Sequence, residues 1–103
     1  MSNVLSQILI PGVKIQRLNK RIERNGKLYE YANYFVYVPK AYEKYVIGND
    51  WIVTIIIDNE RYPIGLRKFS RHNKYYIITL PNDLAYYWEK AVGKEVDVIL
   101  QRP

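Results

Sequence analysis

The residues able to do covalent or proton-transfer chemistry are few and poorly placed for it. His72 is the only histidine, and Arg71, Asn73 and Lys74 around it point to a charged, exposed site. The serines are Ser2, Ser6 and Ser70. None sits on the strand-to-helix elbow that presents a nucleophile, so no serine–histidine triad can be assembled. The absence of cysteine removes thiolate nucleophiles, thiolate metal sites and disulfides together. Asp58 with Glu60, and Glu95 with Asp97, are i, i+2 acid pairs that could hold a divalent cation on one strand face. Such pairs are more often turn acids. The five glycines, Gly12, Gly26, Gly48, Gly65 and Gly93, are isolated, so there is no glycine-rich phosphate loop. The expectation is a binding protein, not an enzyme, without cofactor or metal.

Charge indicates what could be bound. The formal net charge is +6 with sixteen Lys and Arg, and eleven of these cations fall in two blocks. Lys14, Arg17, Lys20, Arg21, Arg24 and Lys27 form the first, with Glu23 the only acid among them. Arg61, Arg67, Lys68, Arg71 and Lys74 form the second, with no acid between Arg67 and Lys74. Several cations on one face attract phosphates, each neutralised phosphate releasing counterions. A double-stranded DNA partner is one expectation. The plainer alternative is a solvated face that keeps a small protein soluble.

Eleven tyrosines are more than a core of this size can hold centrally. Most can be half-buried packing on strands and helices, but Tyr31, Tyr62, Tyr75 and Tyr86 are candidates for an exposed set. Tyrosine combines contact area with a polar handle, is enriched at protein interfaces and stacks on unpaired bases. The competing expectation is therefore a protein partner, a peptide segment bound in a groove between two packed units and beside an edge strand.

These residues must be positioned by a small scaffold. A chain of 103 residues with 49% hydrophobic and 25% charged content has room for one globular domain. No apolar run approaches the ~20 residues of a membrane span, and residues 4–10 lack the features of a signal peptide. A cytoplasmic location is expected. The chain reads as an N-terminal arm, residues 1–12, and a domain, residues 13–103, able to exist as a monomer or weak homo-oligomer.

Within the domain the sequence repeats. Tyr34-Phe35-Val36-Tyr37-Val38-Pro39 parallels Tyr76-Ile77-Ile78-Thr79-Leu80-Pro81. Each proline opens a short stretch of helical spacing: Tyr42, Tyr45 and Val46 in the first, Leu84, Tyr87, Trp88 and Ala91 in the second. Each stretch stops at a glycine, Gly48 or Gly93, suited to the residue beyond a helix C-terminus. Each glycine precedes a strand, residues 51–57 or 96–100. Proline pushes the residue before it into extended geometry and lacks the N–H that a first helical turn leaves unused. One residue thus ends a strand and starts a helix, twice. The reading is α+β, mainly β: two hairpin/β-α-β units, about 13–57 and 58–103, packed around a pseudo-twofold. Asn25-Gly26 predicts a hairpin turn, Pro63 predicts an edge strand or a bulge, residues 51–57 predict a central strand, and the last strand reads as half exposed. The expected core is Val36, Val38, Ile55, Ile78, Leu80, Leu84, Trp88 and Val98.

This order of apolar strand, proline, short helix, glycine, acid and strand resembles the swapped-hairpin family of AbrB-type transcription regulators and MazE-type antitoxins. The resemblance covers residues 34–57 and again 75–100. It implies two interlocking hairpin units, which the family usually supplies from two chains, and DNA contact through basic residues before each proline strand. One departure stands out. The second unit ends at Gln101-Arg102-Pro103, where the family continues into a fourth strand, and residues 13–22 are the candidate substitute. In composition the chain is also similar to small proteins of viruses infecting hot-spring archaea, which would make the location a host cytoplasm and implies no activity.

Overall fold

The computed structural model describes residues 6–103. In chain order the elements are β1 (Gln7–Arg24), β2 (Lys27–Tyr37), α1 (Lys40–Val46), β3 (Trp51–Ile57), β4 (Glu60–Arg67), β5 (Ser70–His72), β6 (Tyr75–Leu80), a 3-10 turn (Asn82–Leu84), α2 (Ala85–Ala91) and β7 (Glu95–Gln101). The strands form one curled, antiparallel sheet in the order β4-β3-β7-β1-β2-β6-β5.

Local chemistry accounts for the joints. Asn25 (φ 52°) and Gly26 (φ 74°) close β1 onto β2, and Asp58 (φ 49°) and Asn59 (φ 68°) close β3 onto β4. Positive φ at both central residues is the turn whose twist suits a two-residue hairpin. Pro39 and Pro81 have extended ψ values of 142° and 140° and stand just ahead of the helical segments, as N-caps instead of first-turn residues. Trp51 donates its indole N–H to the Val46 carbonyl (2.9 Å), and Trp88 donates to the Pro81 carbonyl (2.8 Å). Each ring thus enters the core with its one polar group satisfied.

The core lies on the concave side of the sheet. All the expected core residues are buried except Leu84, which packs against the core partly exposed. Tyr45 of the first helical stripe and Tyr87 of the second are also exposed; helices this short can bury only about one turn's width.

One expectation needs refinement and another correction. The last strand, β7, has the expected buried face of Val96, Val98 and Leu100 and the expected wetter face of Asp97 and Gln101, but Ile99 on that second face is buried as well, and β3 and β1 flank the strand. Asp97 and Gln101 sit on the convex side, where a central strand still meets solvent. The expected N-terminal arm is, from Gln7 onward, part of β1. Gln7–Ile10 and Val13–Lys14 pair with β7, with a bulge at Pro11-Gly12, where Gly12 has φ 67°. The expectation for residues 1–5 lies outside the described residues.

β1 therefore changes neighbour along its length. Its first part pairs with β7 and its second, from Ile15, with β2. β2 pairs with β6 only over Tyr34–Tyr37. Beyond that point the ribbon from Leu18↔Asn33 to Arg24↔Lys27 pairs only with itself. At about 3.3 Å per residue it extends roughly 20 Å past the rest of the sheet. This explains extents of 59 × 28 × 23 Å and a radius of gyration of 14.9 Å, above the roughly 13 Å of a compact chain this long.

The reassignment of the N-terminal segment yields a stability prediction. Ile10 is 1% exposed and its neighbour Leu9 is 51% exposed. Ile10→Ala should cost about 3 kcal/mol in urea unfolding, and Leu9→Ala less than about 0.5 kcal/mol. Equal, small costs would mean that this segment does not carry the core.

Candidate nucleic-acid interface

Strand alternation sorts the first basic block into two faces. With Arg24 opposite Lys27 and Lys20 opposite Tyr31, the convex face of β1 carries Lys14, Gln16, Leu18, Lys20, Ile22 and Arg24. The convex face of β2 carries Lys27, Tyr29, Tyr31, Asn33, Phe35 and Tyr37. The concave face takes Arg17, Asn19, Arg21 and Glu23 from β1, and Leu28, Glu30, Ala32 and Tyr34 from β2. Both ribbon carboxylates, Glu23 and Glu30, thus share the face that faces the core side. Lys20, Arg24 and Lys27 stand on a face where no acid projects from either ribbon strand, whereas Lys14, nearer the domain, is directly opposite Glu95 of β7.

The concave cations are engaged within the fold. Arg21 meets Glu30 at 3.0 Å and Arg17 meets Glu89 of α2 at 2.9 Å. These are exposed pairs, worth little individually. Glu89 also accepts a hydrogen bond from the Tyr34 hydroxyl. That bond, with burial and the Glu89 charge behind it, holds the Tyr34 phenol above its ordinary value of 10.0, while Arg17 pulls the other way. Arg17, Glu89 and Tyr34 together fix α2 to the root of the ribbon.

The second block is not gathered into a matching ribbon. β5 and β6 close a much shorter hairpin at Asn73 (φ 57°) and Lys74. Arg61 and Arg67 lie on β4, and the Arg67 Nε donates to the Ile64 carbonyl at 3.2 Å. Lys68 borders a depression with Asp50 and Tyr76, and the Arg71 guanidinium lies 5.1 Å from the Tyr76 ring centre. Lys74 lends its carbonyl to the Lys40 ammonium at 2.6 Å.

The candidate peptide-site tyrosines divide between two places. Tyr62 packs on Tyr87 and Trp88, and Tyr86 adjoins Tyr87, beside a depression bordered by Asp58, Glu60, Lys90 and Lys94. The Tyr62 hydroxyl donates to Glu60 at 2.9 Å, which raises its pKa. Tyr31 and Tyr75 are instead on the convex face of the ribbon half. There the rings of Phe35, Tyr37 and Tyr75 run together, and His72, only half exposed, packs 5.5 Å from Phe35. The imidazole expected at an exposed site among charges belongs to this aromatic cluster.

Sequence reasoning passed over Tyr29, Tyr37, Lys40 and His72 as members of this face. The available signal was the Asn25-Gly26 turn. A two-residue turn fixes register, register fixes parity, and parity assigns every ribbon residue to a face. Among the described residues no three His, Asp or Glu side chains gather as metal ligands, and no helix is long and apolar enough to cross a membrane.

The Tyr34 bond carries a pH signature. The folded state holds this proton more tightly than the unfolded chain, so its contribution is complete below pH 10 and is lost as pH rises through the raised folded value. Tyr34→Phe should destabilise by about 1 kcal/mol at neutral pH and should remove part of the decline above pH 10. Identical pH profiles for both proteins, followed by denaturant midpoint, would count against the bond.

In comparisons with known proteins, no family model, no curated protein and no solved structure matches the chain.

Proposed function

We propose that the protein is a non-enzymatic nucleic-acid-binding module that holds phosphates with the convex face of its β1–β2 ribbon. The observation that carries this reading is the partition of charge. Lys20, Arg24 and Lys27 project from one face of the ribbon while Glu23 and Glu30 project from the other; Lys14 is on the same face of β1 but nearer the domain, opposite Glu95. A face of one sign, on an element standing roughly 20 Å clear of the domain, can approach a polyanion without its own acids intervening. A two-stranded ribbon is also one of the elements that a DNA major groove admits, which accommodates the double-stranded partner expected from the sequence. The peptide-binding alternative draws support from one place, the Tyr62–Tyr87–Tyr86 cluster beside edge strand β4.

The test is a binding titration at several salt concentrations. Lys20→Glu with Arg24→Glu should weaken binding to a labelled DNA at least tenfold. It should also flatten the dependence on salt, since a phosphate that is no longer neutralised keeps its counterions. Lys44→Glu with Lys90→Glu, an equal charge change on the two helices, should have much less effect. Equal weakening by both pairs would reduce the ribbon to a contributor of net charge.

The tandem-repeat reading, and with it the AbrB-type resemblance, is part of this proposal. Register supports it. Val36 and Ile78, equivalent by the spacing of the two prolines, are direct cross-strand partners, and the pairs Phe35↔Thr79 and Tyr37↔Ile77 exchange under the same shift. In β3 and β7, Val53↔Leu100 and Ile55↔Val98 exchange around Thr54↔Ile99 under the spacing of the two glycines. β4 runs along β3 as the first half of β1 runs along β7, each with a bulge near a positive-φ glycine, Gly65 or Gly12. The fourth strand of the second unit is then the segment Gln7–Lys14, just ahead of the one expected. The Arg102 N–H donates to the Ser6 carbonyl at 3.0 Å, so the two ends of the described chain are adjacent. A circular permutant joined from Pro103 to Ser6 by a short linker, and opened between Lys14 and Ile15, should fold to the same far-UV spectrum. Failure to fold would show that β1 acts as one strand and not as two strands fused.

A further inference from the structure

We propose that the nucleic acid held on the convex face is single-stranded, with bases stacked on Tyr29, Tyr31 and Tyr75. The inference rests on the ribbon being a nucleic-acid interface and adds which form of nucleic acid it takes. Along β2 the convex residues are Lys27, Tyr29, Tyr31, Asn33, Phe35 and Tyr37, and the cations Lys20 and Arg24 stand on β1 opposite Tyr31 and Lys27, with Lys14 near Tyr37 at the root. Tyr29 is 51% exposed, Tyr31 40% and Tyr75 43%, so each offers a ring to solvent. Phe35, Tyr37 and His72 are packed among themselves and support the row at its root.

Each end of the row joins a ring to a cation. At the tip, Tyr29 and Ile22 border a depression with Arg24 and Asn25. At the root, a shallow depression of about 420 Å³ is bordered by Lys14, Gln16, Tyr37, Pro39 and Tyr75. Tyr75 stands 5.5 Å from Tyr37, and the Lys40 ammonium lies 5.1 Å from its ring centre. From Tyr29 to Tyr37 the row spans roughly 26 Å at about 3.3 Å per residue. That suits a short single strand, at the low end of the ~4–16 nucleotides that one small binding domain covers.

The form of nucleic acid follows from what a tyrosine ring can touch. Bases in a duplex are stacked on one another and present only their edges in a groove, where Arg, Lys, Asn and Gln are the matching partners. Unpaired bases present faces, and faces are what exposed rings stack upon. Phosphates of an extended strand can then lie against Lys20, Arg24 and Lys27. The competing account is that Tyr29 and Tyr31 simply pair across the ribbon with Ile22 and Lys20, as aromatic residues do in any sheet. That account makes the tyrosines matter to ribbon stability and not to the choice of ligand.

The experiment uses the full chain with a short fluorescein-labelled oligothymidine and a labelled duplex of the same length, followed by anisotropy at low and moderate salt. The single strand is expected to bind at least tenfold more tightly. Tyr29→Ala with Tyr31→Ala should weaken single-strand binding tenfold or more and leave duplex binding within about twofold, given ~1–3 kcal/mol per stacked base. Tyr29→Phe with Tyr31→Phe should retain binding, which separates the role of the ring face from that of the hydroxyl. Thermal melts of each variant distinguish an unfolded ribbon from a folded one that lacks its stacking rings. Tighter duplex binding, or equal weakening on both probes, overturns the single-strand inference and leaves the nucleic-acid reading standing. Binding of neither probe overturns both.

Discussion

The 18 residues of β1 must satisfy their backbone hydrogen bonds along two different neighbours, and the rest of the molecule is arranged around that requirement. A strand of this length cannot lie flat in a twisted sheet, because the right-handed twist accumulates along it. The bulge at Pro11-Gly12 turns the strand within its β7-paired part, shortly before pairing passes to β2 at Ile15. The two halves of the sheet therefore curl over a common core, with β4-β3-β7 on one side of β1 and β2-β6-β5 on the other. α1 and α2 contribute Val46, Trp88 and Ala91 to that core. Where β2 outruns β6, the same strand has no further neighbour on either side and becomes the ribbon.

Strand parity then divides the labour of the side chains. On the concave side, Arg17 and Tyr34 share Glu89, so the root of the ribbon is tied to α2 by groups that satisfy one another. On the convex side the same strands carry cations and rings with no ribbon carboxylate to answer them. A linear run such as Lys20-Arg21 therefore supplies one residue to the proposed ligand face and one to an internal ion pair. Adjacent residues of like charge have opposite roles here, and only the pleat separates them.

Much of this fold is legible in the amino-acid sequence. Pro39 with Gly48 and Pro81 with Gly93 bracket the helical segments, Asn25-Gly26 is the ribbon turn, and Pro63 lies on edge strand β4. These are local signals, in which one residue's backbone preference decides the outcome. What escaped was non-local. The alternation of Val96, Val98 and Leu100 with Asp97 and Gln101 looks like a strand with one wet face. It carries no information about the edges of β7, which β1 and β3 both occupy. The length of β1 was hidden because its two halves have different partners. The candidate site was legible as a set of cations but not as a face. Arg17 and Arg21 were grouped with Lys20 and Arg24 by proximity in the chain, and Tyr29 and His72 were passed over because the cross-strand neighbours that give them meaning lie elsewhere in the sequence.

A two-stranded ribbon open along both edges has a further consequence. Each edge displays unpaired amide and carbonyl groups at the regular spacing of a strand, a template on which another extended chain can dock and on which copies of the ribbon could stack without limit. Lys20, Arg21, Glu23 and Arg24 on one strand, with Lys27 and Glu30 on the other, put hydrated charge along both margins. Docking of a second copy there would bring two ribbons of net positive charge together. These side chains are thus also the colloidal guard of the protein, and a substitution that made the ribbon neutral would be felt first as fibre formation in concentrated solution.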